Sequence, residues 1–146
     1  YVIETSIGLD RMFLAVFSNS LIEEILEDGS SRVVMKLPPA LAPVKCAVLP
    51  LLKKDGLPEM AKEIFNDLKL DFNMQYDEKD AIGKRYRRQD AIGTPFAITI
   101  DHDSLENKTV TLRDRDTMKQ TRVSVSELKQ ILSEKTSMAE LVKGAL

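Results

Sequence analysis

Between Lys79 and Asp90 the chain carries five cations, Lys79, Lys84, Arg85, Arg87 and Arg88, against two carboxylates, Asp80 and Asp90. Cations grouped in this way can meet phosphates or the edges of unpaired bases. On a helix they can equally form a solvated face. A second group, Arg113-Asp114-Arg115-Asp116, alternates in sign. It suits mutual ion pairs that fix a turn, or direct contact with RNA through Arg113 and Arg115. His102 is the single histidine. It is either an exposed loop residue or a ring on which an unstacked base can stack. Cys46, the single cysteine, sits in an apolar run and reads as core rather than nucleophile. One cysteine and one histidine cannot build a zinc site. The chain has no glycine-rich phosphate loop, dinucleotide fingerprint or nucleophile elbow. These residues point to binding rather than to a reaction.

The elements that must position them follow from periodicity. Residues 9–27 predict a helix, with Leu9, Met12, Phe13, Val16, Phe17, Leu21, Ile22, Ile25 and Leu26 at three- and four-residue spacing and Gly29 as its stop. Residues 28–43 predict a connection, because Pro38, Pro39 and Pro43 forbid a regular helix or central strand; Arg32–Leu37 can form a short edge strand. From Val44 the rhythm changes. Five strands are expected at Val44–Leu49, Asp71–Tyr76, Pro95–Ile100, Thr109–Leu112 and Gln120–Val125. Helices are expected at Leu57–Leu70, 79–91 and Ser126–Ser133, with a last turn or short helix at 137–144.

Strand–helix–strand–helix–strand implies parallel pairing through right-handed crossovers. The link between the third and fourth strands has only about eight residues and no expected helix, so that pair should be antiparallel. Helices should cover both faces, because the first strand is apolar throughout. Ligands of open α/β sheets sit beyond the C-terminal strand ends. Here that edge carries 51–56, 77–80 and 101–107. Lys84 and Arg85 should lie near it, while Arg87, Arg88, Asp90 and the 113–117 link should lie near the opposite edge.

Length and composition suit one α/β domain. The chain has 146 residues, 43% apolar and 30% charged, and a net charge of −2 that argues weakly against broad nucleic-acid binding without excluding a local basic site. No apolar run approaches the roughly 20 residues that span a bilayer, and no secretory signal is visible. A membrane partner is not expected, nor is DNA. The lone cysteine suits a reducing cytosol, so the expected location is cytoplasmic. The first residue is Tyr1, not methionine, and the chain reads as a fragment of something longer.

Three strings resemble a known family. Residues 1–17, YVIETSIGLDRMFLAVF, resemble the last signature motif of class II aminoacyl-tRNA synthetases in its glycyl form, V-I-E-P-S-x-G-x-x-R before an apolar helix. GKRYRRQDAIGTPFAITID at 83–101 and LRDRD at 112–116 are similar to the anticodon-binding domain of glycyl-tRNA synthetase. The resemblance implies a three-layer α/β/α domain with a mixed five-stranded sheet, order 2-1-3-4-5 with strand 4 antiparallel, preceded by one N-terminal helix. It implies a remnant of the catalytic domain at 1–28, a linker at 29–43 and an anticodon-binding domain at 44–146.

By the same resemblance Glu4 and Ser6 recognise the glycine amino group, Arg11 clamps an ATP phosphate, and Gly8 and Asp10 lie in the nucleotide-proximal turn. Thr5 stands where the family usually has proline, which loosens the turn and removes no ligand group. The family commonly places an aromatic after the third strand, where this chain has His102. The partner implied is tRNA(Gly), recognised at the anticodon through Lys84, Arg85 and His102, with Arg113 and Arg115 as second-rank contacts. The intact enzyme would be a homodimer that uses ATP and Mg; the fragment would need no cofactor and would be inactive. The competing readings are a protein-interaction module of the same fold and a small-molecule-binding doubly wound domain. The apolar stripe of the first helix needs a partner: its own domain, a second copy, or none, in which case it should be poorly ordered.

Overall fold

The computed structural model describes residues 1–144. Residues 145 and 146, the end of the expected 44–146 domain, lie outside the described residues. A five-stranded sheet forms the centre. In chain order its strands are β3 (Cys46–Pro50), β4 (Met74–Tyr76), β5 (Phe96–Ile100), β6 (Thr109–Asp114) and β7 (Gln120–Ser124), after an N-terminal hairpin of β1 (Leu21–Ile25) and β2 (Ser31–Met35). The spatial order is β4-β3-β5-β6-β7. β3 pairs parallel with both β4 and β5, and β5–β6 and β6–β7 pair antiparallel. The reversed fourth strand is the one expected from spacing, and the strand order is the one the family resemblance implies.

β3 and β5 are buried along their whole length, as central strands covered on both faces must be. On one face Cys46, Val48, Ile98, Ile100, Val110 and Leu112 meet α2 (Leu57–Leu68) and α5 (Leu128–Lys135) through Leu57, Ala61, Ile64, Leu68, Leu128 and Leu132. On the other, Ala47, Leu49 and Ala97 meet Ile82 and Tyr86 of α3 (Ile82–Ile92). The small side chains of Ala47 and Ala97 let α3 lie close. Burial pushes the Cys46 thiol up, away from the reactive thiolate. Cys46 is therefore expected to resist maleimide in the native protein and to label fully in urea, read by intact mass.

The expected helix over 9–27 is half right. α1 (Leu9–Ser20) stops where the Ser20 hydroxyl donates back to the Val16 carbonyl at 2.7 Å. Leu21–Ile25 then pairs in full antiparallel register with Ser31–Met35. Asp28 and Gly29 make the hairpin turn: Gly29 has φ of 79°, and Asp28 Oδ1 accepts from the Ser30 amide at 2.9 Å. The apolar spacing at 21–26 is helical and does not alternate, and Asp28-Gly29 was the signal for a hairpin. The boundary expected at residue 28 thus falls inside a hairpin. α1 contacts this hairpin, and an open apolar groove bounded by Phe13, Phe17, Met35, Leu41 and Ile92 lies between α1 on one side and Met35, the 37–43 link and the end of α3 on the other. Leu9, Phe13 and Leu14 remain exposed.

The link after β5 also differs from expectation. Residues His102–Asn107 form a short helix, α4. Asp101 caps it, accepting from the Ser104 amide at 3.0 Å, while Ser104 Oγ accepts from the Asp101 amide at 3.1 Å. Asp-x-x-Ser is a reciprocal cap that holds even one turn. The chain closes through a 3₁₀ turn (Val125–Glu127), α5 and α6 (Met138–Lys143).

Candidate functional site

β3, β4 and β5 end together, and three segments leave from their C-terminal ends: 51–56, 77–81 and 101–107. α3 starts at this edge. Lys84, in its first turn, is exposed, as the sequence suggested. Arg85, its neighbour, is only 3% exposed. Its Nη1 donates to the Pro50 carbonyl at 2.5 Å and to that of Asp77 at 3.3 Å, and its Nη2 donates to Leu51 at 3.2 Å. It therefore presents no guanidinium to solvent, against expectation. The reason is helical phase: Ile82, Arg85, Tyr86 and Gln89 share the face that packs on the sheet.

Arg88 was expected nearer the opposite edge, yet it reaches back to this one. Its guanidinium donates to Asp77 Oδ2 at 2.7 Å, to Asp80 Oδ2 at 2.8 Å and to the Lys79 carbonyl at 2.7 Å. Helical side chains lean toward the helix N-terminus, so a long arginine covers the turn before its own Cα. These contacts hold the Asp80 carboxyl below the usual carboxylate range. Arg122 of β7 does the same for Asp101, donating at 2.5 Å. Asp77, Asp80 and Asp101 are thus matched by arginines, while Asp55, Glu78, Asp103 and Glu106 have no arginine partner among the described residues. Lys53, Lys79 and Lys84 form no ion pair among the described residues. Lys53, next to Lys54 in the link after β3, was not singled out from the sequence; its place directly after the first apolar strand was the available signal.

His102 opens α4 rather than lying in a loop. Its ring is more than half exposed, and Nε2 stands 3.2 Å from Asp55 Oδ2. An available aromatic face at the strand ends suits stacking. The edge is open and mixed in sign, with its free cations on lysine.

The opposite edge resolves the second charged group. Arg113 and Arg115 are buried, 6% and 1% exposed. Arg113 donates twice to Asp90, at 2.8 and 3.0 Å, and lies over the Tyr86 ring at 4.7 Å. Asp90 also accepts from Arg32 at 2.9 Å. Arg115 donates to the carbonyls of Met35, Gly93 and Leu37, at 3.0, 2.9 and 2.8 Å. Gly93, with φ of 87°, ends α3, and a Cβ there would stand 3.1 Å from the Met35 side chain. Asp114 Oδ1 accepts from the Asp116 and Thr117 amides and fixes the turn. The ion-pair reading holds here, and Arg113 and Arg115 are not surface contacts. Together these bonds fasten the β1–β2 hairpin to α3 and β6.

The N-terminal candidates are not brought together. Residues 1–8 are irregular and exposed, and Gly8 begins α1 as its N-cap. Glu4, Ser6, Asp10 and Arg11 are exposed, and no side-chain hydrogen bond or ion pair joins them. No group of three or more His, Cys, Asp or Glu that could hold a metal occurs among the described residues. No helix among them is long and apolar enough to cross a membrane.

This arrangement defines a layered α/β domain with an open edge beyond the C-terminal ends of β3 and β5. A family model described as an anticodon binding domain matches residues 45–135, and the chain belongs to that family. It is 56% identical over 128 residues to a glycine–tRNA ligase of Borrelia hermsii, covering 88% of this chain and 29% of that protein. It is 55% identical to the glycine–tRNA ligase of Clostridium kluyveri, covering 92% and 29%. The chain thus spans under a third of the length of these curated relatives. Among solved structures it resembles the RNA binding domain of threonyl-tRNA synthetase from Cryptosporidium parvum, with a TM-score of 0.62 and 27% identity over 68% of this chain and 25% of that one. Prolyl-tRNA synthetase from the same organism shares the fold, with a TM-score of 0.64 at 18% identity over 85% and 34%.

Proposed function

We propose that residues 44–146 bind the anticodon loop of a glycine tRNA at the C-terminal edge of β3 and β5, as part of a protein that joins glycine to that tRNA. The observation that carries this is the juxtaposition of Lys53, Lys79, Lys84 and His102 on one open edge of a domain in the anticodon-binding family. Lysine ammoniums neutralise phosphates without reading sequence, while unpaired bases stack on a ring and expose their hydrogen-bonding edges. A titration with the anticodon stem-loop tests it. Saturable binding that weakens when the anticodon bases are changed supports the reading; equal binding of any stem-loop contradicts it.

In the intact protein, residues 1–20 would contribute to a catalytic site, with the hairpin as the joint. Glu4 and Ser6 would hold the glycine ammonium, and Arg11 an ATP phosphate, with Gly8 and Asp10 in the same turn. A carboxylate suits an ammonium and a planar guanidinium suits a phosphate. ATP would bring Mg²⁺ with it. The intact protein would be a cytoplasmic homodimer. Within residues 1–146, Glu4 and Ser6 lie on an irregular exposed segment and Arg11 on the exposed first turn of α1. Residues 1–146 alone are expected to give no glycine-dependent exchange of pyrophosphate into ATP; measurable exchange would contradict this.

A further inference from the structure

Arg85 is a buried cation in a place where a cation is costly. Its Nε is buried with no hydrogen-bond partner, and desolvation lowers the pKa of its guanidinium. An apolar side chain filling the same space would carry no such cost. Its three hydrogen bonds all go to backbone carbonyls at one place. Pro50 is the last residue of β3, Leu51 is the next, and Asp77 is the first residue after β4. From these points the chain departs into 51–56, which carries Lys53 and Lys54, and into 77–81, which carries Lys79. One guanidinium therefore fixes the departure of both links. Arg88, one turn further along α3, grips 77–80 from outside.

We infer that Arg85 is a positioning residue for RNA: it touches no ligand, and it holds the links 51–56 and 77–81 so that their lysines stand ready together. This rests on the RNA-binding reading of the same edge. Without the guanidinium, the links and their long side chains must be ordered at binding rather than beforehand.

The test uses the 146-residue protein, wild type and Arg85→Met, well below the melting temperature. Binding of the glycine-tRNA anticodon stem-loop and backbone amide exchange of the free protein are both measured. Arg85→Met is expected to weaken binding roughly tenfold, the cost of immobilising a few long side chains. It should also speed exchange in 51–56 and 77–81 of the free protein, and not in β7. Arg85→Lys, which keeps a cation but has no planar fork to reach three carbonyls, should lose less in both readouts. It is read in place of Arg85→Met if that variant does not fold. Unchanged affinity overturns the inference. So does weakened affinity with unchanged exchange, which would make Arg85 a direct contact. Absence of binding by the wild type is a different result: it overturns the RNA reading of the edge itself, and the positioning role with it.

Discussion

Asp90→Ala is expected to destabilise the domain by about 3–5 kcal/mol, read as a fall in the urea midpoint. Asp90 is 1% exposed and accepts three bonds, two from Arg113 and one from Arg32. Truncation leaves two buried guanidiniums facing each other with no anion between them. Each keeps only part of its partners: Glu24 and the Arg115 carbonyl for Arg32, and the Tyr86 ring for Arg113. The β1–β2 hairpin should loosen first, because Arg32 is one of its main fastenings. Arg88→Ala supplies the contrast. Its two ion pairs lie at the surface, where water screens them, so the urea midpoint should barely move. Equal losses from the two variants would contradict this assignment of buried and surface charge.

Replacing Lys53, Lys79 and Lys84 together by alanine is expected to weaken stem-loop binding about a hundredfold at roughly 0.1 M salt. A contact to a single-stranded phosphate contributes about 0.7 to the slope of log K against log salt, and so about 0.7 log units of affinity at that concentration. Three contacts give about 2 in both quantities. The substitutions remove no ion pair among the described residues, so the melting temperature should barely move. A loss of affinity with an unaltered salt slope would show that the lysines do not face phosphate.

The sheet was legible in the sequence because its strands are short apolar runs whose connecting lengths restrict the pairing. Val48, Ile98 and Val110 are buried wherever such strands lie, and the connection lengths set the strand directions, while the spatial order came from the family resemblance. Charged residues carry no comparable constraint. Lys84 and Arg85 are adjacent in a cationic string, yet one faces solvent and the other lies beneath the edge. Helical phase could have separated them, since Arg85 shares the stripe of Ile82 and Gln89. Arg113 and Arg115 were recognisable as partners of acids from their alternating signs. Their burial was not, because it depends on a hairpin that packs from about 80 residues away. The hairpin itself was hidden by helical apolar spacing at 21–26, and α4 by its brevity.

The central claim is tested most directly by the amide spectrum of the ¹⁵N-labelled protein during titration with the anticodon stem-loop. Binding at the proposed edge predicts shifts concentrated in 51–56, 77–84 and around His102, with the hairpin and α5 quiet. Shifts confined to α1 and the Phe13–Met35 groove, or to the acidic flank of α2 at Glu59 and Glu63, with the edge unchanged, would contradict it.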